Sequence, residues 1–284
     1  MEIKSLDGID KKVLYQAFVS AFAGYDAPTP DEAALQTMLA RRGFNAAFSF
    51  GAFEGGELVS FTFNGTGLYN KIATAYDTGT GTIPEHRKQG LAKRIFIESK
   101  PVLISAGIKQ YLLEVLQQNV KAVALYQSLG FETVREFDYY YAPASEIKPI
   151  QVTTDSSIEL HEVSDPDAEL FTTFQDFRPS WQNSFEAVQR RPNDFIIITA
   201  TFKGRVIGYG ILEPFSGDIT QIAVEHSFRR NGIGTALLNR MLSLNRFGSV
   251  KMINIEKTCH SFRGLADSFD WKPAGSQYEM ICKL

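Results

Sequence analysis

The feature that most constrains this chain is a short motif that occurs twice. The first copy lies within residues 82–92 and the second within residues 222–234, and both contain Arg-x-x-Gly-x-(Ala/Gly). Arg229 follows Arg87 by 142 positions, which is half of the 284-residue chain. Two domains of ordinary size fit this length, and a motif repeated in register indicates that one domain has been duplicated.

Each copy reads as the end of a strand, a polar turn and the first turn of a helix. The first N–H groups of such a helix have no partner inside it, and the helix dipole adds partial positive charge there. This end of a helix therefore favours an anion, and a phosphate is the natural ligand. In the first copy Gly90 and Ala92 allow a pyrophosphate to approach the backbone, and Arg87 and Lys88 add donors and charge.

A second group of residues follows the next predicted strand. Asn119, Ala122, Tyr126 and Leu129 recur at steps of three and four, so they share one face of a predicted helix. Gly130 comes where a helix favours a left-handed residue after its last turn. This face therefore carries two polar side chains, Asn119 and Tyr126, two helical turns apart.

Both turns resemble the acetyl-CoA-binding motif of the GNAT (GCN5-related N-acetyltransferase) superfamily, (Arg/Gln)-x-x-Gly-x-(Gly/Ala). Residues 119–131 also resemble the family's helix after the fifth strand, Asn-x-x-Ala-x-x-Leu-Tyr-x-x-Leu-Gly-Phe. The resemblance implies an α+β (α/β) fold of two tandem GNAT-like domains. Each domain is expected to be a mixed central sheet flanked by helices, with splayed fourth and fifth strands.

The resemblance also implies an activity, which is transfer of an acetyl group from acetyl-CoA to a primary amine of a small molecule or peptide. By analogy with the family, Tyr126 is expected to protonate the departing CoA thiolate, and Asn119 to contact the cofactor. Catalysis is expected in the N-terminal domain. The residues that the resemblance assigns to the cofactor are Thr80, Thr82, Ile83, Arg87, Lys88, Gln89, Gly90, Leu91, Ala92 and Asn119, with Val224, Arg229, Arg230, Asn231, Gly232, Ile233 and Gly234 in the second half.

The general base is not specified by any motif. Asp77 on the predicted fourth strand and Glu114 on the fifth are the candidates, and each reads equally well as a solvated or salt-bridged carboxylate. Tyr126 has an alternative interpretation as a half-buried aromatic whose hydroxyl finds a partner. Tyr25 and Asp26 are candidates for contact with a cationic amine, although an ordinary loop explains them as well.

The second half keeps the phosphate turn but departs from the family pattern beyond it. When the closing turns of the two helices are aligned, Cys259 takes the place of Asn119, and Ala266 takes the place of Tyr126. Asp218 precedes the second turn, and it is either a general base or an ordinary aspartate at the start of a strand. A degenerate C-terminal domain is therefore expected, and the alternative for the whole chain is a non-catalytic protein that binds acyl-CoA and regulates a partner.

The predicted domains are residues 1–145 and 158–284, joined by a linker at 146–157 that is rich in residues that break periodic patterns. Within the first domain, Thr29 is predicted to cap a helix in a capping box. Pro101 is predicted to kink or end the helix that follows the first phosphate turn.

Composition excludes several classes of protein. A net charge of −3, a pI near 5.9 and the absence of a Lys/Arg run argue against nucleic-acid binding. No run reaches the ~18 apolar residues of a membrane span, and the polar start does not resemble a signal peptide. Cys259 and Cys282 read as reduced buried thiols, and the four histidines form no metal motif. The expectation is a cytoplasmic monomer or homodimer without metal.

Overall fold

The computed structural model describes residues 1–23 and 29–284, which divide into two compact units. The first unit contains Met1–Val134 together with Tyr278–Leu284, and the second contains Arg135–Gln277. Each unit has its own hydrophobic core.

The first unit is a mixed sheet with helices. Its strands are β1 (Glu2–Ser5), β2 (Phe50–Glu54), β3 (Glu57–Tyr69), β4 (Ile72–Thr82) and β5 (Gln110–Leu116), adjacent in that order. Its helices are α1 (Lys11–Phe22), α2 (Glu32–Arg41), α3 (Leu91–Ser105) and α4 (Val120–Ser128). Neighbouring strands from β1 to β4 are antiparallel, whereas β4 and β5 are parallel.

The core of the first unit packs α1, α2 and α3 against β2 and β3. Phe61 and Phe63 on β3 stack with ring centroids 4.2 Å apart, and Phe18 of α1 lies against Phe61. Leu14 and Phe18 are one helical turn apart, so α1 presents both to this core. Burial of each such side chain contributes about 1.5–3 kcal/mol.

The sheet of the first unit opens between β4 and β5. These strands pair only through Thr74, Ala75 and Tyr76, opposite residues 110–112. Directly after this pairing, Thr78 has no partner residue on β3 and forms a β-bulge. Because β4 and β5 separate beyond Tyr76, a wedge forms between them, as the expected splayed strands require.

The second unit repeats this plan. Its strands are β6 (Glu132–Pro143), which enters the unit at Arg135, β7 (Ile158–Val163), β8 (Ile196–Phe202), β9 (Arg205–Glu213), β10 (Asp218–Val224) and β11 (Ser249–Glu256). Their order in the sheet is β6-β11-β10-β9-β8-β7. Its helices are α5 (Ala168–Thr172), α6 (Phe185–Arg190), α7 (Ile233–Leu244) and α8 (His260–Ser268). The last strand is β12 (Pro273–Lys283), which leaves the unit after Gln277.

The duplication extends to the irregular parts of the sheets. Strands β10 and β11 are parallel and pair at Asp218 and Lys251. Thr220 then forms a bulge on β10 opposite β9, 142 positions after Thr78. The expected α/β fold of two tandem units, each with a splayed pair of strands, is therefore confirmed.

The units differ from the predicted domains 1–145 and 158–284 at both ends. Most of β6 pairs with β11, so this segment belongs to the second unit. Met280 and Cys282 pack with Tyr111 and Phe131, so the C-terminal segment belongs to the first unit. The predicted linker, 146–157, lies in the second unit, where Ile147 is buried in the core.

The structure corrects two local predictions, since Thr29 is not the cap of its helix and Pro101 does not end its helix. Asp31, and not Thr29, is the N-cap of α2, because its carboxylate accepts a hydrogen bond of 2.8 Å from the N–H of Ala34. The helix α3 continues past Pro101 to Ser105. Its last turn is anchored by the fully buried Leu103, and packing therefore outweighs the hydrogen bond that proline removes.

None of the helices within residues 1–23 and 29–284 has the length and apolar character needed to cross a membrane.

Candidate active site

The two phosphate turns have the same backbone conformation. Lys88 and Gly90 have φ angles of 63° and 73°, and Arg230 and Gly232 have φ angles of 65° and 78°. In the first unit the earliest helical hydrogen bond of α3 runs from the N–H of Arg94 to the carbonyl oxygen of Gly90. The N–H groups before it have no acceptor in the helix. Each turn therefore presents a concave set of backbone donors that suits an anion.

The surroundings of the two cradles differ. Nothing lies within 4 Å of the position that a Cβ would take at Gly90, so this backbone is open to a bulky diphosphate. At Gly232 the same position is 2.5 Å from a methyl group of Val152. The segment before Val152 is held by Ile150, which exchanges two hydrogen bonds with Asn239 on α7.

The motif arginines brace the turns. Arg87 donates from Nε to the carbonyl oxygen of Thr82 at 3.1 Å and from Nη2 to that of Ala21 at 3.0 Å. Arg229 makes the matching bonds to the carbonyl oxygens of Val224 and Phe174, both at 2.9 Å. Each guanidinium therefore ties the strand end to the preceding segment of chain.

The end of β4 presents backbone groups to the wedge. The N–H of Ile83 bonds the carbonyl oxygen of Val59 on β3, so Ile83 faces β3. Antiparallel pairs alternate, and the backbone groups of Thr80 and Thr82 therefore point away from β3. The carbonyl oxygen of Thr82 accepts from Arg87, and its hydroxyl pairs with Ser60 at 2.7 Å. The strand thus offers the remaining groups to an extended ligand.

Asp77 and Tyr126 meet in the wedge. The Tyr126 hydroxyl donates to Asp77 Oδ2 at 3.1 Å, and the Thr80 hydroxyl lies 2.7 Å from the same oxygen. The N–H of Gly79 donates to Asp77 Oδ1 at 2.9 Å. The bulge at Thr78 and the last turn of α4 thus bring together one carboxylate and one phenol that are 49 positions apart in sequence.

Burial raises the pKa of both Asp77 and Tyr126. Burial raises the pKa of the Asp77 carboxyl above its ordinary value, and hydrogen bonds from Thr80, Tyr126 and Gly79 offset part of this rise. Burial, together with the negative charge of Asp77, raises the pKa of Tyr126 well above its ordinary value. Tyr126 therefore remains a hydroxyl donor, and Asp77 is a stronger proton acceptor than an exposed aspartate.

Glu114 lies away from this pair. It accepts a hydrogen bond from the Tyr76 hydroxyl. Successive side chains of a strand point to opposite faces, so Tyr76 and Glu114 lie on the face opposite Asp77 and Tyr126. Of the two candidate bases, the structure brings only Asp77 to Tyr126. Tyr25 and Asp26, the candidates for amine contact, lie outside the described residues.

Asn119 is the N-cap of α4. Its side-chain oxygen accepts a hydrogen bond of 3.2 Å from the N–H of Ala122, so the side chain is used to start the helix that carries Tyr126. Gly130 has a φ of 89° and follows the last turn, as predicted.

The second unit replaces the polar group of the wedge with apolar residues. Ala266 occupies the place of Tyr126, since the N–H of Trp271 bonds the carbonyl oxygen of Ala266 as that of Phe131 bonds Tyr126. From the matching bulges, Ile219 and Ile222 occupy the places of Asp77 and Thr80. The same correspondence puts Asp218, which is buried, at the position of Tyr76.

The wedge of the second unit instead holds a polar network without charge. Tyr209 donates to Gln221 Oε1 at 2.7 Å, and Gln175 Nε2 lies 2.8 Å from Tyr209 and 2.9 Å from Gln221 Oε1. Gln221 also donates to the carbonyl oxygen of Asn183 at 2.6 Å. These side chains line a cavity of about 430 Å³ that reaches the cradle at Gly232.

A charged group borders this cavity. Asp176 pairs with Arg229 at 2.7 Å, accepts a hydrogen bond from the Ser261 hydroxyl, and lies 3.5 Å from a ring nitrogen of His226. Burial raises the pKa of Asp176, but the bonds from Ser261 and Arg229 outweigh burial and hold this pKa below its ordinary value. Cys259, 3.9 Å away, has a pKa raised by burial and remains a thiol. Asp176 therefore places a negative charge between the cradle and the start of α8.

Several of these residues have no signal in the sequence. Thr80 acts on Asp77 only because of the bulge, and Gln175, Tyr209 and Gln221 come from a loop and two different strands. The bulge depends on the register with β3, which no local pattern records.

Comparison with known proteins agrees with this architecture. The model of the acetyltransferase (GNAT) family matches residues 12–131 and 157–254. A thialysine N-ε-acetyltransferase from Sus scrofa is 34% identical over 87 residues, which are 28% of this chain and 49% of that protein. The chain thus spans about half the length of this curated relative.

Solved structures share the fold of both units. A tandem GNAT protein from the clavulanic acid biosynthesis pathway has a TM-score of 0.74 at 13% identity, over 99% of this chain and 98% of that one. A GCN5-related N-acetyltransferase from Sphaerobacter thermophilus has a TM-score of 0.70 at 13% identity, over 99% and 95%. At these identities the likeness concerns the fold.

Proposed function

The chain belongs to the acetyltransferase (GNAT) family, and we propose that its first unit transfers the acetyl group of acetyl-CoA to a primary amine. The observation that carries this proposal is the hydrogen bond between Tyr126 and Asp77 in the wedge between β4 and β5. A proton donor and a proton acceptor are the two groups that amine acetylation requires of a protein.

The cofactor residues of the first unit fit a CoA diphosphate. The open cradle at Gly90 and the first turn of α3 would hold the diphosphate, and the backbone groups of Thr80 and Thr82 would hold the pantetheine arm. When bound there, acetyl-CoA supplies an acetyl thioester. Asp77 then accepts a proton from the amine, and Tyr126 holds the proton that the sulfur will need.

The negative charge of Asp77 favours an amine that arrives as a cation. The curated relative acts, by its name, on the ε-amine of thialysine. We therefore choose thialysine as the first acceptor to test, followed by lysine, a diamine and a peptide with a free N-terminus.

The experiment mixes the protein with acetyl-CoA and each amine and follows the release of free thiol. We expect thiol release above the uncatalysed rate with at least one amine, together with an N-acetylated product in the mass spectrum. Release at the uncatalysed rate with every amine would contradict the proposal.

A second function is favoured by the cavity of the second unit. The cradle at Gly232 opens into this cavity, whereas Ala266 and Ile219 replace the donor and the acceptor. We propose that this unit binds CoA or an acyl-CoA without transferring the acyl group. Calorimetry with CoA tests this, because two binding events per chain are expected, and a single event would contradict it.

A variant of the first unit shows which of the two binding events belongs to which unit. Ala92→Asp places a carboxylate in the first turn of α3, where the helix dipole tolerates it but a bound diphosphate is repelled. The variant is expected to lose the event of the first unit and to keep the other. If both events remain, the cradle at Gly90 is not the site of the first.

A further inference from the structure

The base and the acid of the first unit are in direct contact. The Tyr126 hydroxyl lies 3.1 Å from Asp77 Oδ2, within the range in which a proton passes between two oxygens. Asp77 Oδ1 is held by the N–H of Gly79, so the carboxylate is fixed with Oδ2 toward Tyr126. We propose, on the basis of the proposed function, that Asp77 and Tyr126 form one proton relay that carries the proton of the amine to the sulfur.

The relay balances the reaction. As the amine nitrogen forms its bond to the acetyl carbon, its proton passes to Asp77. As the carbon–sulfur bond breaks, its electron pair stays on sulfur, which takes the proton of the Tyr126 hydroxyl. In the same step the proton on Asp77 Oδ2 moves to the oxygen of Tyr126, and both side chains return to their starting state. An amine that arrives as a cation first releases one proton to solvent, and the neutral amine then supplies the proton that the relay carries to sulfur.

Thr80 makes room for the proton that Asp77 receives. Its hydroxyl lies 2.7 Å from Asp77 Oδ2 and 3.1 Å from the hydroxyl oxygen of Thr62. When Asp77 is ionised, Thr80 donates to the carboxylate. When Asp77 is protonated, Thr80 turns its proton to Thr62, which leaves the proton on Oδ2 directed at the Tyr126 oxygen. Thr80 is therefore a positioning residue, with an acceptor available in both states.

The second unit supports the view that these residues act as a set. Ile219, Ile222 and Ala266 replace Asp77, Thr80 and Tyr126, so all three polar groups are absent from the duplicated position together.

The contact is tested first without acetyl-CoA. The titration of the Asp77 carboxyl is followed by carbon-13 resonance in the wild type, Tyr126→Phe and Thr80→Val. The bonds from Thr80 and Tyr126 stabilise the ionised form, so each variant is expected to raise the pKa of Asp77. Thr80→Ser, which keeps the hydroxyl, is expected to restore the wild-type titration. An unchanged titration in Tyr126→Phe would overturn the relay, because the bond would be absent.

Single-turnover rates of Asp77→Asn, Tyr126→Phe and the double variant then test the coupling. Each single variant is expected to slow transfer by about 100-fold. The double variant is expected to match the slower single variant, because either substitution already breaks the path. A double variant whose loss is the product of the single losses would overturn the relay. Tyr141→Phe and Asp7→Asn, which change an exposed phenol and an exposed carboxylate, are the controls.

The wild type gives an independent result in mixtures of H₂O and D₂O. The relay predicts that the single-turnover rate curves with the deuterium fraction, because more than one proton moves in the step, and a straight line would overturn it. Failure of the proposed function is distinguishable. No transfer by the wild type with any amine would overturn that function and the relay together, whereas transfer with a straight line would overturn the relay alone.

Discussion

The guanidinium of Arg229 lies 2.7 Å from the carboxylate of Asp176, beside the phosphate turn of the second unit. Ala21 and Phe174 are the matching partners of the two motif arginines, so the residue of the first unit that aligns with Asp176 is Ala23. This position therefore carries no carboxylate. A charge next to an anion cradle weakens the binding of a diphosphate, and the effect falls with salt. The two cradles therefore share a backbone conformation, and we expect them to differ in their affinity for CoA.

Asp176→Asn is expected to tighten CoA binding in the second unit. The substitution removes one negative charge and keeps the size of the side chain, so a gain of about three- to tenfold follows from about 1 kcal/mol of relieved repulsion. Calorimetry in the Ala92→Asp background isolates this unit. Equal affinity with and without Asp176→Asn would show that the carboxylate lies too far from the bound anion to matter.

Arg87→Ala is expected to reduce stability more than CoA affinity. The guanidinium holds the carbonyl oxygens of Thr82 and Ala21, and its loss is expected to cost about 1–2 kcal/mol of unfolding free energy in urea. Lys88→Ala, at the next and exposed position, is the control and is expected to stay within about 0.5 kcal/mol. A larger stability loss in Lys88→Ala than in Arg87→Ala would contradict the bracing role.

The two cradle glycines should respond differently to alanine. Gly90 and Gly232 both have left-handed φ angles, so each alanine is expected to cost about 1–2 kcal/mol from backbone strain. At Gly232 the new methyl group also meets Val152 at 2.5 Å, which adds about 1–3 kcal/mol of overpacking. Urea unfolding compares the variants. Equal losses of unfolding free energy in the two variants would contradict the added cost of the contact with Val152.

Asp77 should make stability depend on pH. Because burial raises the pKa of Asp77 above 3.8, the folded protein holds this proton more tightly than the unfolded chain does. The stability that Asp77 contributes is therefore full below pH 3.8 and is lost as the pH rises from 3.8 through the raised pKa. Compared with the wild type, Asp77→Asn is expected to gain stability across this interval. A difference between the two proteins that does not change with pH would contradict the raised pKa.

The sequence predicts the parts of this molecule that local patterns encode. The strand, turn and helix around Gly90 and Gly232 follow from apolar spacing and glycine placement, and the structure has both. The helical spacing puts Tyr126 on one face with Asn119, and the family resemblance alone makes it a candidate acid; the structure puts it 3.1 Å from Asp77.

The sequence does not predict features that depend on distant pairing. The segment that begins at Arg135 pairs with β11, and Tyr278–Leu284 belongs to the first unit. A strand has the same local sequence pattern whichever unit it pairs with, so the sequence does not reveal these pairings. The choice between Asp77 and Glu114 likewise depends on the face that each side chain takes after the bulge at Thr78.

We expect the first unit to transfer the acetyl group with Tyr126 as the proton donor. The most direct test is the single-turnover rate of acetyl transfer to an accepted amine by Tyr126→Phe at saturating acetyl-CoA, with the affinity for CoA measured in parallel. We expect the rate of Tyr126→Phe to fall by about 100-fold or more, with the affinity for CoA within about twofold of the wild type. A Tyr126→Phe variant that transfers acetyl groups at the wild-type rate would contradict it.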